Sequence, residues 1–371
     1  MKVQFMKKLI VRGYYGRDNL GDELMKELFI KFFHCPDINL MIMNSAPAEL
    51  LDIYGIVTPD ELVTGGLPSA KNAIKRFFTI LAADVYVYGG GTMITDKHSS
   101  YHLLENAVYF FFRKLLRKKS LLISAGATKF KTRRGLFLAR RLIGFSSKAY
   151  IRDDLSFQYL DKVTHHSKKL VPSADMVLLA KDMYPIAERR QKTIGLSLMP
   201  YYYATYHQRG LDQEIRCELV KQIRTISEQK KDYRFVLIPI QAGQNNRTDY
   251  EFCEQIYLEL RNEINIGIIA ETDSTAKIRA LQKCEYLISM RLHALMIAKL
   301  SGVKVCAINH NEKIQAFMQR YDSPKNVVGL EDLRKLAECF LHLEPADKNG
   351  ALDEDYERAW GNISVIREYL G

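Results

Sequence analysis

The stretch that decides the fold is KLIVRGYYGRDNLGDELMKELFIKFF, residues 8–33. Its opening KLIVR is a short, mostly apolar run of the kind that forms a buried β-strand. A turn with glycines at 13, 16 and 21 follows. Apolar residues then recur at helical spacing, at Leu24, Leu28, Phe29, Phe32 and Phe33. This order of strand, turn and helix predicts one βα unit of a parallel sheet.

Similar units recur in two series along the 371-residue chain. Strands are predicted in the first series at 8–12, 40–43, 84–88, 120–125 and 149–152, and in the second at 193–198, 234–238, 266–269, 285–289 and 303–309. We therefore predict an α/β protein with two Rossmann-like, doubly wound domains that face a cleft. The expected bounds are 1–182 for the first domain, 190–345 for the second, and 346–371 for an acidic linker and a terminal helix over 356–370.

Cysteine usage and hydropathy exclude several classes of protein. The six cysteines are scattered from Cys35 to Cys339 without a C-x-x-C pair, which argues against a disulfide framework or a zinc site and favours a reducing compartment. The apolar run after the basic residues 1–8 is only Leu9-Ile10-Val11, which is too short for a signal peptide. No stretch reaches the ~20 apolar residues of a membrane span. We expect a cytoplasmic protein with no cofactor and no metal.

The net charge of +11 comes from one region. Residues 106–152 hold 13 Lys or Arg and no Asp or Glu, whereas the rest of the chain has 41 basic and 43 acidic residues. This basic patch predicts one anionic partner rather than a nucleic-acid coat. A helix predicted over 103–119 combines aromatic residues with a basic carboxyl end, which suits the anionic inner face of the plasma membrane. A core helix with a solvated end fits the pattern equally well.

The glycine-rich turn after the first strand is a candidate binding loop. Gly16 and Gly21 allow the backbone to approach a ligand closely, and the loop lacks the G-x-G-x-x-G fingerprint of dinucleotide sites. Asp22 and Glu23 fall in the first helical turn, where they would repel a phosphate. We therefore assign the loop to a neutral acceptor whose hydroxyls Asp22 binds or deprotonates. Capping of the helix by Asn19 explains the same residues without a ligand.

A glycine triplet and an arginine at a strand end are two further candidate binding features of the first domain. Gly90 and Gly91 belong to a glycine triplet after an apolar strand, and we expect this backbone either to pass close to a ligand or to form a tight turn into a helix. Arg152 ends another strand and is expected to reach across the cleft toward an anion. A salt bridge from Arg152 to Asp153, Asp154 or the interdomain linker is the alternative.

The run Ser289-Met290-Arg291-Leu292-His293 joins a predicted strand to a predicted helix in the second domain. Backbone N–H groups, the helix dipole and the Arg291 side chain would converge there on an anion. His293 is placed to donate or accept a proton near neutral pH, although a lone histidine is more often structural. Lys313 lies in the loop after the next strand and is expected at the same edge of the sheet.

Taken together, these loops resemble the polysaccharide pyruvyl transferase family. The resemblance runs in order from Gly13 to Lys313 and is most specific in the run Arg291-Leu292-His293-Ala294-Leu295. It implies a two-domain fold similar to the GT-B glycosyltransferases, phosphoenolpyruvate as the donor, and a pyruvate ketal on a sugar as the product. It also implicates four residues at the donor site: His293, Arg291, Arg152 and Lys313.

Phosphoenolpyruvate carries a carboxylate and a phosphate of roughly −1.5 to −2 charge at neutral pH. Arg291, Arg152 and Lys313 would neutralise both groups without a metal. His293 is the candidate acid or base, and Asp22 is a weaker candidate base toward the acceptor. We expect this acceptor to be a sugar, an oligosaccharide or a lipid-linked glycan.

Two other functions stay open. A GT-B glycosyltransferase that uses a nucleotide sugar would hold a diphosphate at the same helix terminus. A catalytically silent adaptor would use the basic patch to reach a membrane. Phosphate release from phosphoenolpyruvate, compared with nucleotide release from sugar nucleotides, separates the three functions.

Overall fold

The computed structural model of the chain describes residues 6–16, 19–43, 70–97, 99–185, 191–206, 209–241, 248–271, 273–345 and 349–371. The chain divides into two units. The first unit comprises Met1–Arg17, Gly21–Leu179 and Asp355–Gly371, and the second comprises Asp18–Leu20 and Ala180–Glu354. Residues 186–190, beside the predicted domain boundary, lie outside the described residues.

The first unit is built on a parallel sheet. Its described strands are β1 (Lys7–Arg12), β2 (Ile38–Met43), β3 (Val85–Ile94), β4 (Lys119–Ala127), β5 (Lys148–Ile151) and β6 (Leu170–Pro172). The helices between them are α1 (Leu20–Phe33), α2 (Ala70–Ala82), α3 (Tyr101–Leu115), α4 (Arg133–Phe145) and α5 (Asp154–Val163). The strand order is β2-β1-β3-β4-β5-β6, so the winding direction reverses between β1 and β3.

The second unit has a second parallel sheet. Its described strands are β7 (Thr193–Ser197), β8 (Arg234–Leu237), β9 (Ile266–Ile268), β10 (Tyr286–Ser289), β11 (Lys304–Asn309) and β12 (Val327–Gly329). The helices are α6 (Tyr201–Tyr206), α7 (Arg209–Gln229), α8 (Thr248–Leu260), α9 (Ser274–Lys283), α10 (Leu292–Leu300), α11 (Glu312–Tyr321) and α12 (Leu336–Leu341). The order β12-β11-β10-β7-β8-β9 reverses between β7 and β10, which is the Rossmann arrangement.

Both sheets confirm the predicted class of doubly wound α/β fold. The strands are buried on both faces, which explains why they read as nearly continuous apolar runs. A last helix, α13 (Asn349–Leu370), belongs mostly to the first unit and begins seven residues earlier than predicted. None of the helices in the described part of the chain is long and apolar enough to span a membrane.

Two predicted boundaries in the first unit are wrong. Strand β3 does not end before the glycine triplet but continues through it, with Gly91 paired to Ala125 of β4. Gly90 and Gly91 take φ values of 82° and 92°, which the absence of a side chain permits. Helix α3 ends at Leu115 rather than at 119, and Lys119 already belongs to β4.

The early end of α3 follows from the side chain of Arg113. Arg113 has no exposed surface, and its guanidinium donates to the carbonyl oxygens of Ile80, Ala83, Asp84 and Lys119. These carbonyls lie where α2 ends and where β3 and β4 begin. A side chain that the sequence assigned to a solvated basic helix end is therefore part of the core.

A second buried ionic group lies between β1 and the helices above it. Glu105 of α3 accepts from Arg12 at the end of β1 and from Arg76 of α2, at 2.7 and 2.6 Å. The Tyr109 hydroxyl donates to the same carboxylate at 2.8 Å. Burial raises the pKa of Glu105, but the charges of Arg12 and Arg76 outweigh it and hold this pKa below its ordinary value.

Candidate functional site

The predicted anion site of the second unit lies at the end of β10, next to the point where the strand order reverses. Open parallel sheets bind ligands at this position, beyond the carboxyl ends of the strands. Strand β10 ends at Ser289, and α10 begins at Leu292 with Arg291 as its N-cap residue. The Ser289 hydroxyl accepts from the backbone N–H of Arg291 at 2.9 Å, which fixes the turn between strand and helix.

The guanidinium of Arg291 is held by a buried acid. Its Nε donates to Oδ2 of Asp249 at 2.9 Å, and its Nη2 donates to Oδ1 of the same carboxylate. Nη2 also donates to Gln241 at 3.3 Å. Asp249 has no exposed surface, whereas 16% of the Arg291 side chain is exposed. Within the described residues, Nη1 of Arg291 makes no hydrogen bond, so a ligand can use it.

His310, which the sequence analysis did not single out, lies beside Arg291. Its Nε2 donates to the carbonyl oxygen of Met290 at 2.8 Å, and Asn311 donates to its Nδ1 at 3.0 Å. Burial and then the charge of Arg291 lower the pKa of His310. The imidazole is therefore neutral and fixed, and its ring packs on Tyr201, with 4.7 Å between the ring centroids.

The amino ends of α10 and α11 follow adjacent strands but differ in their caps. The side chain of Asn311 caps α11 by accepting from the N–H groups of Lys313 and Ile314. Among the residues that the structure describes, no side chain caps α10. The first N–H groups of a helix have no partner inside the helix, so the amino end of α10 is the more open to an anion.

Three predicted residues fall on these two helix ends. Leu292 and His293 form the first turn of α10, both half-buried, and the Nε2 atom of His293 is buried. Lys313 is not in a loop, as predicted, but in the first turn of α11, because Asn311 starts the helix early. We call Gln241, Asp249, Arg291, His293 and His310 the second-unit cluster.

The predicted acceptor loop of the first unit packs on the glycine triplet. Buried Tyr15 donates from its hydroxyl to the carbonyl oxygen of Gly89 at 3.2 Å. A Cβ atom on Gly13 would stand 2.5 Å from the same oxygen, so the two backbones touch. The N–H of Gly16 donates to Glu23 at 2.6 Å. At Gly13, the close approach of the loop to strand β3 leaves no space for a side chain.

Asp22 is the predicted residue that lies closest to the triplet. It belongs to the first turn of α1, directly after Gly21, and Asn19 directly precedes this helix. A Cβ atom on Gly91 would stand 3.1 Å from Oδ1 of Asp22. With Asp22 and Glu23 nearby, burial raises the pKa of Tyr15 well above its ordinary value. The Asp22 carboxylate therefore lies against the buried backbone of Gly91.

Arg152 forms a salt bridge, as the alternative interpretation expected, but its closest partner is Asp175 rather than Asp153 or Asp154. Its Nη1 donates to Asp175 at 2.9 Å and its Nη2 donates to Thr92 at 3.1 Å, while Asp153 lies 3.6 Å from Nε. Only 8% of Arg152 is exposed. The first unit thus brings Asp22, Gly91, Thr92, Arg152 and Asp175 to one edge of its sheet, and we call them the first-unit cluster. A role for Arg152 toward the donor stays a prediction.

Sequence reasoning missed Asp249, Gln241, His310, Thr92 and Asp175. Asp249 stands in the first turn of α8, where an acid is expected for the helix dipole alone. Its partner Arg291 lies 42 residues further along the chain, and no local pattern predicts this pairing. Thr92 directly follows the glycine triplet in the sequence, but no local pattern pairs it with Arg152.

The fold and the two clusters define a two-domain α/β protein of the GT-B-like kind. The chain belongs to the polysaccharide pyruvyl transferase family, whose family model matches residues 19–312. This match confirms the resemblance found in the loops and places the chain among the transferases of polysaccharide biosynthesis. No curated protein sequence matches the chain in a direct comparison.

Solved structures of similar fold include UDP-GlcNAc 2-epimerases and a protein in complex with UDP. UDP-GlcNAc 2-epimerase from Methanocaldococcus jannaschii has a TM-score of 0.62 at 12% identity, with 98% of this chain and 99% of that chain covered. The Neisseria meningitidis epimerase bound to UDP-GlcNAc has a TM-score of 0.58 at 14% identity, with the same coverage. Anabaena HepE in complex with UDP has a TM-score of 0.60 at 12% identity, again with 98% and 99% covered. At these identities the likeness establishes the fold.

Proposed function

We propose that this enzyme transfers the pyruvyl group of phosphoenolpyruvate to two hydroxyls of one sugar in a polysaccharide or its precursor. The product is a pyruvate ketal, and inorganic phosphate is released. One observation carries the proposal: Asp249 holds the guanidinium of Arg291 at the uncapped amino end of α10, at the reversal point of the second sheet. Family membership supports the same reaction.

The second-unit cluster suits a small, multiply charged anion. Phosphoenolpyruvate has two anionic groups and no nucleoside, so it needs cationic donors within a short span. Nη1 of Arg291, the first N–H groups of α10 and the ammonium of Lys313 are the donors that we assign to it. We expect these groups to suffice without a metal ion. Activity that survives exhaustive chelation would support this expectation, and activity that metal restores would contradict it.

The reaction needs one proton at carbon and gains one at phosphate. An acid, for which we propose His293, protonates the methylene carbon C3, and positive charge develops at C2. A first sugar hydroxyl forms a bond to C2, and its proton passes to the Asp22 carboxylate, which releases it to solvent while solvent reprotonates His293. The C2–O bond to phosphate then breaks, and a second hydroxyl of the same sugar closes the ketal at C2. The proton of this second hydroxyl leaves with phosphate, so atoms and charges balance.

We assign the acceptor to the first-unit cluster. The Asp22 carboxylate beside Gly91 is suited to accept a hydrogen bond from a sugar hydroxyl and to remove its proton as the hydroxyl attacks. It is not suited to hold the donor, since it would repel phosphate. Arg152, with Asp175 and Thr92 as partners, keeps the neighbouring strand ends in place. The acceptor in this proposal is a sugar, an oligosaccharide or a lipid-linked glycan.

A donor comparison tests the proposed function. Purified protein is incubated with a panel of glycan acceptors and either phosphoenolpyruvate or UDP-sugars, and phosphate and UDP are measured. We expect phosphate from phosphoenolpyruvate, only when an acceptor is present, and no UDP. UDP release would favour a GT-B glycosyltransferase, which the nucleotide-sugar enzymes of similar fold make the main rival. Release of neither product would favour the silent adaptor.

A further inference from the structure

The outer surface of α2, α3 and α4 is apolar to an unusual extent. These helices cover one face of the first sheet with buried residues such as Ile80, Phe110 and Leu142. Their opposite sides expose large apolar side chains at 37–64% of full exposure: Ile74, Phe78, Val108, Phe111, Phe112, Leu115, Leu116 and Phe137. Single exposed apolar residues are ordinary, but a continuous patch of them marks a binding surface.

Ring contacts make this surface continuous across the helices. Phe77 of α2 packs against Phe78 and against Phe112 of α3, with ring centroids 5.6 and 5.4 Å apart. Phe111 packs against Phe112 and against Phe145 of α4, each at 5.3 Å. An unbroken row of aromatic rings therefore crosses from α2 to α4. We call this surface, with its exposed apolar residues, the helical face.

The charges on the three helices are almost all of one sign. They carry nine Lys or Arg, with three in α2, two in α3 and four in α4, and their one acid is Glu105. Glu105 is bound by Arg12 and Arg76 and adds no negative charge to the surface. Six of these cations are exposed: Lys75, Lys114, Arg133, Arg134, Arg140 and Arg141.

Some of these cations lie directly on the aromatic rings. Arg141 stands over the exposed ring of Phe137 at 5.0 Å, and Lys114 stands over Phe145 at 5.7 Å. A long basic side chain that lies along apolar surface can reach a phosphate layer while the rings enter the apolar layer below it. Such charges attract a protein to the surface of an anionic bilayer.

We propose that the helical face binds an anionic phospholipid bilayer. Charge complementarity selects this occupant, because an anionic bilayer presents negative headgroups directly above an apolar layer. Helices α3 and α4 follow β3 and β4, so their amino ends lie at the same edge of the sheet as the first-unit cluster. The proposal rests on the proposed function in one respect: it identifies the acceptor as a lipid-linked glycan.

Three basic residues at and beyond the end of α3 are unsuitable for charge reversal. Arg113 is buried among carbonyls, Lys118 donates to the carbonyl oxygen of Ala82, and Lys119 lies in β4 over the ring of Tyr369. Reversal of these charges would disturb the fold. The informative charge variant combines Lys75→Glu, Lys114→Glu and Arg141→Glu, and the informative apolar variant combines Phe78→Ser, Leu115→Ser and Phe137→Ser.

Vesicle flotation without substrates tests the proposal. The unmutated protein should float with phosphatidylcholine vesicles that contain phosphatidylglycerol and should not float with pure phosphatidylcholine. Each triple variant should bind the anionic vesicles at least tenfold more weakly, with an unchanged circular dichroism spectrum. A charge control in the second unit combines Arg261→Glu, Arg279→Glu and Lys283→Glu, and Leu258→Ser, 51% exposed in the native chain, is the apolar control. Both controls should float as the unmutated protein does.

Three results would overturn the proposal. In the first, the unmutated protein does not float with anionic vesicles, and in the second, both triple variants float as well as it does. In the third, sedimentation shows a dimer that the serine variant converts to a monomer, which would make a second copy the occupant. Since flotation needs no turnover, vesicle binding without phosphate release from phosphoenolpyruvate would refute the proposed reaction and leave the membrane surface in place.

Discussion

The side chain of Arg291 and the carboxylate of Asp249 form a two-point ion pair at the amino end of α10, with the acid fully buried and the base partly exposed. The acid fixes the plane and position of the guanidinium. It also removes part of the cost of burying a charge before a ligand arrives. Arg291 is thereby held in one position, as the proposed anion site requires, rather than free to move as a surface cation.

Replacement of Asp249 should destabilise the protein strongly. Asp249→Asn keeps the shape of the side chain but leaves the Arg291 charge without its partner, and loss of one partner of a buried pair costs about 3–5 kcal/mol. The measurement is the free energy of unfolding in urea, followed by circular dichroism. The matched control is Asp232→Asn, which breaks the exposed pair with Lys192. This control should lose about 1 kcal/mol or less, and equal losses in both variants would contradict a special role for the buried pair.

His293→Ala should lower kcat by about 10²–10⁴-fold, because a positioned acid–base group contributes that much to a rate. The fold should be retained, since the side chain is only half-buried at the start of α10. His166→Ala, at a side chain that is 82% exposed, is the control and should keep full activity. A loss below about tenfold in His293→Ala would exclude proton transfer by this residue.

Asp22→Asn should slow the reaction with the acceptor without weakening the binding of the donor. The amide keeps the size of the carboxylate beside Gly91 but cannot accept a proton, so the acceptor-dependent rate should fall by about 10²-fold or more. Binding of phosphoenolpyruvate, measured by equilibrium dialysis, should be unchanged. Asp37→Asn, at an exposed acid of the same unit, should alter neither quantity. Weaker donor binding in Asp22→Asn would reverse the assignment of the two clusters.

Glu105 makes stability depend on pH in the acid range. Its pKa is lowered in the folded state, so its contribution is fully present above its pKa in the unfolded chain and is lost as pH falls through the folded pKa. Glu105→Gln should therefore destabilise the protein most near neutral pH, and this penalty should shrink as pH falls below the ordinary pKa of glutamate. Urea midpoints at several pH values give this difference. The exposed Glu228→Gln should leave the midpoint unchanged throughout, and a penalty for Glu105→Gln that persists in acid would contradict the ionic origin of the effect.

The fold was predictable because its βα units carry strong local patterns. Strands β1, β4 and β11 are buried on both faces and read as apolar runs, and α1 has helical spacing from Leu24 onward. The path of β3 through Gly89–Gly91 was not predictable, because glycine is depleted in strand interiors. What keeps the strand there is contact with Tyr15, Gly13 and β4, which the local sequence does not contain.

The candidate site was predictable only in part. Arg291 and His293 stand two positions apart where a strand turns into a helix. Topology alone therefore places them at the edge where ligands bind. Asp249 and His310 reach the same point from other elements, and Asp175 meets Arg152 across 23 residues of chain. Such pairings depend on tertiary contacts, and in each case the sequence showed one partner only.

The most direct test of the reaction follows the pyruvyl carbons themselves. The purified protein receives carbon-13-labelled phosphoenolpyruvate, UDP-GlcNAc and a glycan acceptor in one mixture. Carbon-13 NMR of the product should show a labelled ketal carbon bonded to two oxygens of one sugar, in an amount equal to the phosphate released. Label that remains in phosphoenolpyruvate while UDP is released would contradict pyruvyl transfer and make the chain a nucleotide-sugar enzyme.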